Sequence, residues 1–423
     1  MEYLRRICDE VLKERLQATD AILIEGPKWC GKTTTAAQIA NSALYMQQPE
    51  NLEMNLSLAE VDPSSLLAGK TPRLIDEWQL APKLWDAVRF EADRRQQFGQ
   101  FILTGSTQPA DKSKIHHTGT GRIGRFKMRT MSLFESGDST GEVSLKGLFD
   151  NGPFQVSENK ASKLDKIAFL VSRGGWPRSV GQKESVALQQ AKTYLDAIVE
   201  EDIASFDDVR RSPEFARSIM RSYSRYISSQ GKISQMIADL EFADAGPKEY
   251  VVRSYLEALK KLFVIEEMPA WNPNLRSKSA IRTTPVRHFV DPSIAVAALG
   301  VSPKGLINDL ETFGLLFESM CVRDLRSYCD AVGGTVSHFR DSSGLECDSV
   351  VHLKDGRYGL IEIKLGGDSL IEQGAKNLIK LSNIINTKKM GNPSFLMVIT
   401  ATTKMRYPRK DGVVVVPIAC LGP

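Results

Sequence analysis

Residues 21–35 run from a short apolar segment into a glycine-rich loop that could hold the phosphates of a nucleotide. The loop has the spacing G-x-x-x-x-G-K-T from Gly26 to Thr33, and its glycines let successive backbone N–H groups point inward at phosphate oxygens. In such a loop Lys32 reaches the β- and γ-phosphates and Thr33 ligates Mg²⁺. The predicted ATP-binding residues are Gly26, Pro27, Lys28, Trp29, Cys30, Gly31, Lys32, Thr33 and Thr34.

A pair of acids at the end of a second apolar segment could complete a site for nucleotide hydrolysis. Asp76 and Glu77 follow Leu74 and Ile75. Asp76 would hold Mg²⁺ through water, and Glu77 would orient and deprotonate the attacking water. Both carboxylates have to lie beside the phosphate loop, and we expect adjacent parallel strands to bring them there. The sequence therefore predicts that the two acids and Lys32 act on one nucleotide.

Three further residues have both a chemical and an ordinary structural interpretation. Ser106 ends a third apolar segment, where its hydroxyl would bond the attacking water or the γ-phosphate, or would belong to a turn. Arg122 would stabilise transition-state charge, from a neighbouring subunit, or would lie with Arg125 in a solvated basic loop. Cys30 would either fill space in the phosphate loop or act as an oxidation-sensitive switch.

Three short segments have to form strands for these residues to meet. They cover residues 21–25, 72–78 and 100–106 and are separated by helical stretches, which predicts a parallel α/β sheet. Apolar residues at helical spacing over 2–17 predict a helix before the first strand. Gly, Ser, Asp and Asn are frequent over 137–163, which indicates a loop-rich domain boundary.

Four stretches of the N-terminal third carry a family resemblance. They are Ile-Glu-Gly-Pro-Lys-Trp-Cys-Gly-Lys-Thr at 24–33, Leu-Ile-Asp-Glu-Trp-Gln at 74–79, Phe-Ile-Leu-Thr-Gly-Ser at 101–106, and Gly121-Arg122 followed by Met131-Ser132-Leu133-Phe134-Glu135. Together they resemble the AAA-type ATPase domain of a widespread prokaryotic family. The resemblance implies that Arg122, rather than Arg125, is the γ-phosphate arginine. Thr130 replaces a proline of the family, and Lys28 stands where the family often has arginine.

The middle of the chain has three helical segments followed by strand-like residues. The segments are 213–228, 233–239 and 248–262, and 263–265 are predicted to be a strand. Three helices followed by a β-hairpin is the winged helix-turn-helix pattern. One interpretation is a basic wing that grips DNA phosphates; the other is a packing module that contacts the ATPase or another subunit. The basic residues, with one tryptophan among them, are Lys248, Arg253, Lys260, Lys261, Trp271, Arg276, Lys278, Arg282 and Arg287.

Three residues near the C-terminus could bind a metal ion and cleave a phosphodiester. Asp348 lies in the first strand of a predicted hairpin that turns at 354–357, and Glu362 and Lys364 lie in the second strand. Glu362 and Lys364 are two residues apart and therefore share one face of the strand. Asp348 and Glu362 could hold Mg²⁺ or Mn²⁺, while Lys364 positions or activates a water.

This order of helix, acid, hairpin, Glu-x-Lys and helix resembles the PD-(D/E)xK nuclease superfamily. Glu318 and Gln373 match further positions of that superfamily, but its Pro-Asp dipeptide is absent because Cys347 precedes Asp348. The C-terminal half also resembles the nuclease-like domain of unknown function 4143 that accompanies this ATPase type. The alternative is an inherited fold that binds nucleic acid or neighbouring ATPase regions without chemistry.

The predicted fold class is α/β, with an N-terminal P-loop NTPase parallel sheet, a helical and winged-helix middle, and a C-terminal restriction-endonuclease-like α/β domain. The predicted domains are an AAA-type P-loop ATPase domain at 1–140, a helical connector or lid at 141–211, a winged helix-turn-helix-like domain at 212–295 and a PD-(D/E)xK nuclease-like domain at 300–423.

The composition indicates the class of protein but does not identify its binding partners. The 423 residues are 42% hydrophobic and 25% charged, which is ordinary for a soluble globular protein. An apolar run of the roughly 18 residues needed to span a membrane is absent. The start lacks an apolar signal core and none of the six cysteines forms C-x-x-C, so we expect reduced thiols and a cytoplasmic protein. The net charge of +4 neither demands nor excludes nucleic acid.

The leading hypothesis is Mg²⁺-dependent ATP binding and hydrolysis that controls a winged-helix and nuclease-like module acting on nucleic acid. Its partners would be ATP and ADP, DNA or another nucleic acid, and further copies of the chain that supply Arg122, with no membrane partner. The alternative is an ATP-dependent switch or assembly protein whose C-terminal domain is catalytically inactive and serves in binding.

Overall fold

The computed structural model of the chain describes residues 2–106, 117–150, 152, 156–158, 162–205, 207, 209–240, 246–273, 283–385 and 387–423. Within these ranges the chain forms an N-terminal parallel sheet, a helical middle and a C-terminal mixed sheet, which is the predicted α/β class. The strands are β1 Ala21–Glu25, β2 Ser42–Tyr45, β3 Arg73–Asp76, β4 Phe101–Gly105, β5 Ile123–Lys127, β6 Val143–Ser144, β7 Ser157–Glu158, β8 Gly334–Arg340, β9 Glu346–Leu353, β10 Tyr358–Lys364, β11 Phe395–Thr400, β12 Met405–Pro408, β13 Val413–Pro417 and β14 Leu421–Gly422.

The α-helices lie mainly before the N-terminal sheet, between its strands, and throughout the middle of the chain. They are α1 Cys8–Leu16, α2 Lys32–Ile39, α3 Leu52–Val61, α4 Lys83–Arg95, α5 Leu145–Phe149, α6 Leu164–Arg173, α7 Glu184–Ala197, α8 Ile203–Ser205, α9 Pro213–Arg225, α10 Ile233–Asp239, α11 Glu249–Lys261, α12 Pro292–Leu299, α13 Pro303–Asn308, α14 Leu310–Val332, α15 Asp368–Ile384 and α16 Thr387–Met390. The predicted helix over 2–17 begins only at Cys8, because the Ile7 N–H is directed to a Glu135 carboxylate oxygen at 2.9 Å.

The N-terminal sheet has five parallel strands in the order β2-β3-β4-β1-β5. The three predicted strands are β1, β3 and β4, and β1 and β4 are almost wholly buried, as parallel strands covered on both faces are. The edge strands β2 and β5 were not predicted. β4 lies between β1 and β3, so the expectation that the acid-bearing strand is adjacent to the loop-bearing strand is wrong. The acids reach the phosphate loop past the end of β4.

The three predicted helical segments of the middle appear as α9, α10 and α11, with ends within three residues of the prediction. The α9 helix begins at Pro213, after Ser212, whose hydroxyl accepts a hydrogen bond from the Phe215 N–H. Antiparallel bridges between Ile265 and Phe289 and between Met268 and Val286 follow α11. The predicted strand over 263–265 is reduced to one such bridge.

The C-terminal sheet has seven strands in the order β7-β12-β13-β11-β10-β9-β8. The predicted hairpin is the antiparallel pair β9 and β10, while β10 and β11 are parallel and joined through α15. Segments from the middle of the chain contact both edges of this sheet. Ala270 pairs with His338 of β8, and β7 pairs with β12. Such coverage protects strand edges from pairing with other chains.

A buried ionic network joins the residues after β5 to α14 and to the turn before α12. The Thr130 hydroxyl donates to Asp291 at 2.7 Å, and the Leu133 N–H donates to Asp324 at 3.0 Å. Arg323 contacts both carboxylates, at 3.0 Å and 2.7 Å. Proline, which the resembled family has at position 130, has no hydroxyl for this bond. The N-terminal region is therefore anchored to the other two regions by paired buried charges.

Candidate functional site

The phosphate loop connects β1 to α2 through two glycines in the left-handed half of conformational space. Gly31 has a φ of 100° and Gly26 a φ of 155°, and a Cβ on Gly26 would lie 2.1 Å from the Met128 carbonyl oxygen. Lys32 donates from Nζ to the carbonyl oxygens of Gly26 at 2.9 Å and Pro27 at 2.8 Å. These bonds hold the buried ammonium within the curve of the loop, the position from which a phosphate-loop lysine contacts phosphates.

Asp76, at the carboxyl end of β3, contacts the first turn of α2. Its Oδ1 accepts hydrogen bonds from the hydroxyls of Thr33 and Thr104, both at 2.6 Å. A threonine hydroxyl beside a carboxylate is the donor set that holds Mg²⁺ in P-loop NTPases, so these residues fit that ion. Sequence reasoning missed Thr104, although its place two residues before Ser106 in a buried strand is a usable signal.

Glu77 lies beside Asp76 in a left-handed backbone conformation with a φ of 56°. That conformation costs a residue with a side chain about 1–2 kcal/mol, and such strain clusters at functional positions. Gln79 Nε2 donates to Glu77 Oε2, and the Ser106 hydroxyl lies 3.4 Å from the same oxygen. The turn thus gathers the predicted base, the predicted serine and Gln79, which sequence reasoning missed.

Two ion pairs lie at the phosphate loop, one formed by Arg6 and one by Lys28 of the loop itself. Arg6 donates to the Cys30 carbonyl oxygen at 2.9 Å and pairs with Glu135 at 2.9 Å. Lys28 Nζ pairs with Asp202 Oδ1 at 2.5 Å. Cys30 is fully buried, which favours its space-filling interpretation because reactive cysteines are accessible. Arg6 and Asp202 lie far from the loop in sequence and carried no signal there.

The remaining predicted loop residues lie nearer the surface. Thr34 is exposed on the first turn of α2. Trp29 is 42% exposed, has a φ of 65°, and its ring lies edge-on to Tyr194 with 5.5 Å between ring centroids. The loop therefore presents a large aromatic side chain and a lysine to the helical region that follows the N-terminal sheet.

Arg122 lies at the edge of the sheet opposite the phosphate loop. Its carbonyl oxygen accepts a hydrogen bond from the N–H of Ala21, the first residue of β1. Its guanidinium pairs with Asp93 and lies 3.5 Å from Asp20. Arg122 is therefore not brought together with the loop of its own chain. Its position is compatible with both interpretations given above, contact with a neighbouring subunit's nucleotide and a place in a solvated basic loop.

Asp348, Glu362 and Lys364 lie together at one end of the β9–β10 hairpin. Lys364 Nζ is 3.1 Å from Asp348 Oδ2 and 2.7 Å from Glu362 Oε2. The Ile363 N–H donates to the same Asp348 oxygen at 2.7 Å, and Asn377 of α15 donates to Glu362 Oε1 at 3.1 Å. Asn377 was missed by sequence reasoning. Each carboxylate already has protein donors.

The charged side chains of this cluster shift one another's pKa values. Burial raises the pKa of Glu362, and Asp348 raises it further while Lys364 opposes the rise. Burial and then Asp348 raise the pKa of Glu318 on α14 in the same way. Burial lowers the pKa of Lys364, but the carboxylates of Asp348 and Glu362 outweigh it and leave that pKa above its ordinary value. The two carboxylates therefore favour the charged ammonium form of Lys364.

The described residues contain no group of three or more His, Cys, Asp or Glu side chains placed to hold a metal ion. Asp348 and Glu362, the two carboxylates of the predicted Mg²⁺ or Mn²⁺ site, do not form such a group, and the Lys364 ammonium contacts both of them. Gln373, which the nuclease resemblance also implied, is exposed on α15.

The basic residues of α11 are paired with acids nearby. Arg253 contacts Glu249 at 2.5 Å, and Lys260 contacts Glu257 at 3.2 Å and Glu267 at 2.9 Å. Pairing of this kind lowers the positive potential that a helix presents to DNA.

Two residues of the predicted basic wing are buried, which for these two favours the packing interpretation over contact with DNA. Arg287 is 5% exposed and donates from Nε to the Gly231 carbonyl oxygen at 2.7 Å. Trp271 is 7% exposed and packs on Tyr358 of β10. Both anchor the segment after α11 to its surroundings. The other predicted wing residues, Arg276, Lys278 and Arg282, lie outside the described residues.

Three stretches of the chain match known families. Residues 18–136 match the family described as AAA domain, and residues 313–421 match Domain of unknown function (DUF4143). Residues 164–305 match Domain of unknown function (DUF8612). The chain therefore carries an AAA domain followed, at its C-terminus, by the DUF4143 domain that the sequence resemblance implied. The AAA domain supports ATP binding and hydrolysis.

Comparison with solved structures gives weak similarity. The Walker-type ATPase PABY2304 of Pyrococcus abyssi aligns over 69% of this chain and 94% of its own at 15% identity, with a TM-score of 0.42. A DNA replication initiation factor aligns over 60% of this chain and 88% of its own at 14% identity, with a TM-score of 0.27. No curated protein matches. Among the described residues, no helix combines the length and apolarity needed to cross a membrane.

Proposed function

We propose that the chain binds Mg²⁺–ATP in the loop from Gly26 to Thr34 and hydrolyses it. Thr33 and Asp76 would hold the Mg²⁺ ion, and Lys32 would contact the β- and γ-phosphates. The observation that carries this proposal is the pair of 2.6 Å hydrogen bonds from Thr33 and Thr104 to one oxygen of Asp76. They keep a carboxylate and a hydroxyl side by side at the start of α2, where the helix dipole also favours phosphate.

Glu77 would orient the attacking water and accept its proton. Its carboxylate is held by Gln79 and lies near the Ser106 hydroxyl, so its direction is fixed before substrate binds. A bound Mg²⁺ ion would neutralise charge on the phosphate oxygens. Positioning and electrostatic stabilisation are the main contributions that a protein makes to phosphoryl transfer.

Arg122 would complete the site of a second copy of the chain. Its position opposite its own loop supports this assignment. Mixing Arg122→Ala with Lys32→Ala protein should restore part of the turnover that each variant lacks alone, because mixed assemblies contain some intact sites. No restoration, together with turnover per chain that is independent of protein concentration, would contradict the shared site.

Turnover of Mg²⁺–ATP by purified variants tests the hydrolytic site. Lys32→Ala should abolish ATP binding, whereas Glu77→Gln should keep binding and lower turnover by about 100-fold or more, the scale of a lost base in general acid–base catalysis. Lys13→Ala and Glu53→Gln, which change exposed residues away from the loop, are the matched controls. Unchanged turnover in Lys32→Ala would disprove the phosphate-loop assignment.

The ATP state is proposed to control the helical and C-terminal regions as a switch. Arg129, two residues after β5, pairs with Glu266 at 2.7 Å and with Asp330 of α14 at 2.7 Å. With the Thr130 and Leu133 contacts, it ties the strand beside the phosphate loop to both other regions. This function rests on binding by the C-terminal region and requires no cleavage.

A second candidate is Mg²⁺- or Mn²⁺-dependent cleavage of nucleic acid by Asp348, Glu362 and Lys364. It is supported by their closeness at one hairpin end. Labelled single- and double-stranded DNA and RNA should be incubated with the protein, Mn²⁺ and either ATP or ADP. Cleavage that disappears in Asp348→Ala but persists in Asp355→Ala, a change in the exposed hairpin turn, would favour the nuclease. No cleavage in any nucleotide state would favour the switch.

A further inference from the structure

Two consecutive residues of the phosphate loop contact the end of α7 and the segment after it. Lys28 pairs with Asp202 at 2.5 Å; the lysine side chain is 41% exposed and the aspartate side chain only 8%. The Trp29 ring lies edge-on to Tyr194. These contacts join residues more than 160 positions apart, so they depend on how the helical region docks on the loop.

The contacted segment has an unusual backbone and an unsatisfied polar group. Residues Ile198–Asp202 form a π-helical turn between α7 and α8, a conformation that is rare and often lies at functional sites. One turn earlier, the Tyr194 hydroxyl is buried and has no hydrogen-bond partner among the residues that the structure describes. A buried polar group without a partner is uncommon in native structures, so two uncommon features coincide where the helical region meets the phosphate loop.

We propose that Asp202 and the phosphates of ATP compete for Lys28, so that ATP binding releases the Ile198–Asp202 turn. The inference rests on the proposed ATP site and assigns Asp202 as a regulatory positioning residue for it. Lys28 is two residues from Gly26, in a loop whose N–H groups would surround the phosphates. A triphosphate carries several negative charges against one on Asp202, and a buried aspartate is destabilised when an ion pair such as the one with Lys28 is broken. The turn that carries Asp202 would therefore change conformation.

ATP affinity measured on full-length variants tests the competition. Asp202→Asn should bind ATP about fivefold or more tightly than the wild type, because the competitor is removed and such coupling between sites is usually fivefold or larger. Asp202→Glu should restore part of the competition. Glu200→Gln, which changes an acid of the same turn that pairs with Arg217, should leave the affinity unchanged.

Double substitution separates competition from a general effect on folding. Lys28→Met should bind ATP more weakly than the wild type, and Lys28→Met with Asp202→Asn should match Lys28→Met alone, because Asp202 acts through the lysine. Additive effects of the two substitutions would overturn the proposal. So would an Asp202→Asn affinity equal to that of Glu200→Gln.

Hydrogen exchange gives a second readout that is independent of affinity. In the wild type, amide exchange over residues 198–205 should rise when ATP is added, and in Asp202→Asn it should be high with or without ATP. If the wild type binds ATP and exchange over this turn does not change, the competition is disproved while the ATP site stands. If the wild type binds no ATP and neither affinity nor exchange responds, the proposed function itself fails.

Discussion

The two sets of acids in this chain are held in opposite ways. Asp76 and Glu77 contact hydroxyl and amide side chains, and the described residues show no ion pair between either acid and a basic side chain. Asp348 and Glu362 both contact the Lys364 ammonium. Carboxylates held by neutral donors retain the negative charge that attracts Mg²⁺, whereas carboxylates paired with an internal cation have that charge offset. The N-terminal acids are therefore suited to a metal–nucleotide complex and the C-terminal acids to a structural charge cluster.

The lysines of the two sites also differ in whether their partners are neutral or charged. Lys32 bonds to two backbone carbonyl oxygens of its own loop, and the described part of the chain shows no ion pair to it, so its positive charge is available to phosphates. Lys364 donates to two carboxylates, so its charge is already balanced. One lysine is placed for a ligand and the other for its neighbours on the sheet.

The largest expected difference between the two sites is in ATP turnover, when one acid of each site is replaced by an amide. Asp76→Asn should lower Mg²⁺–ATP turnover by about 100-fold or more, because a charged group of a phosphoryl-transfer site is lost. Asp348→Asn, the same chemical change at the other site, should leave turnover within about twofold of the wild type. Turnover is measured by phosphate release at saturating ATP. Equal losses in both variants would mean that the C-terminal acids also belong to the hydrolytic site.

Removing each lysine in turn should affect stability more at the C-terminal cluster than at the phosphate loop, the reverse of the order expected for turnover. Lys364→Met leaves Asp348 and Glu362 without their shared cation and should lower the free energy of unfolding by about 2 kcal/mol, below the full value for a buried pair because the lysine is partly exposed. Lys32→Met loses two hydrogen bonds to backbone and should cost about 1 kcal/mol. Urea unfolding without nucleotide measures both. A larger loss in Lys32→Met would contradict the assignment of Lys364 as the structural cation.

Local features of the sequence predicted most of what defines the N-terminal site. The loop spacing and the Asp76-Glu77 pair are patterns of neighbouring residues. Strands β1, β3 and β4 are short apolar segments, which predict buried strands. β2 is a four-residue edge strand with alternating exposure, a weak signal at any position. The place of β4 between β1 and β3, which brings Thr104 to Asp76, is a property of topology and not of any segment.

Contacts between residues far apart in the chain could not be predicted from the sequence, because they depend on how the regions pack together. Lys28 and Asp202 are 174 positions apart, and no pattern in either segment indicates the other. The hairpin register placed Glu362 and Lys364 on one face, as predicted, but whether the ammonium closes on both acids depends on side-chain packing. Charge alone left Arg287 open to a DNA-contacting and to a packing interpretation, and its inward position against Gly231 depends on tertiary packing.

The change of the unfolding free energy with pH separates the contributions of Glu362 and Lys364 within the C-terminal cluster. Because the folded-state pKa of Glu362 is raised above its ordinary value of 4.5, the folded protein binds more protons than the unfolded chain from about that pH upward. The free energy of unfolding should therefore fall as pH rises from 5 to 8. Burial raises that pKa to about 8, so the fall should continue across the whole of this interval.

Three variants assign that fall to the cluster. Glu362→Gln should flatten the pH profile, because a group that titrates between the two conditions is removed. Lys364→Met should steepen it, because the lysine is the group that opposes the rise in the pKa of Glu362. Glu372→Gln on the same helix as Asn377 should leave it unchanged, since Arg409 lowers the pKa of Glu372 and keeps its titration below this range. A profile that Glu362→Gln does not alter would mean that Glu362 ionises normally, and the internal charge cluster would then lose its main support against the metal site.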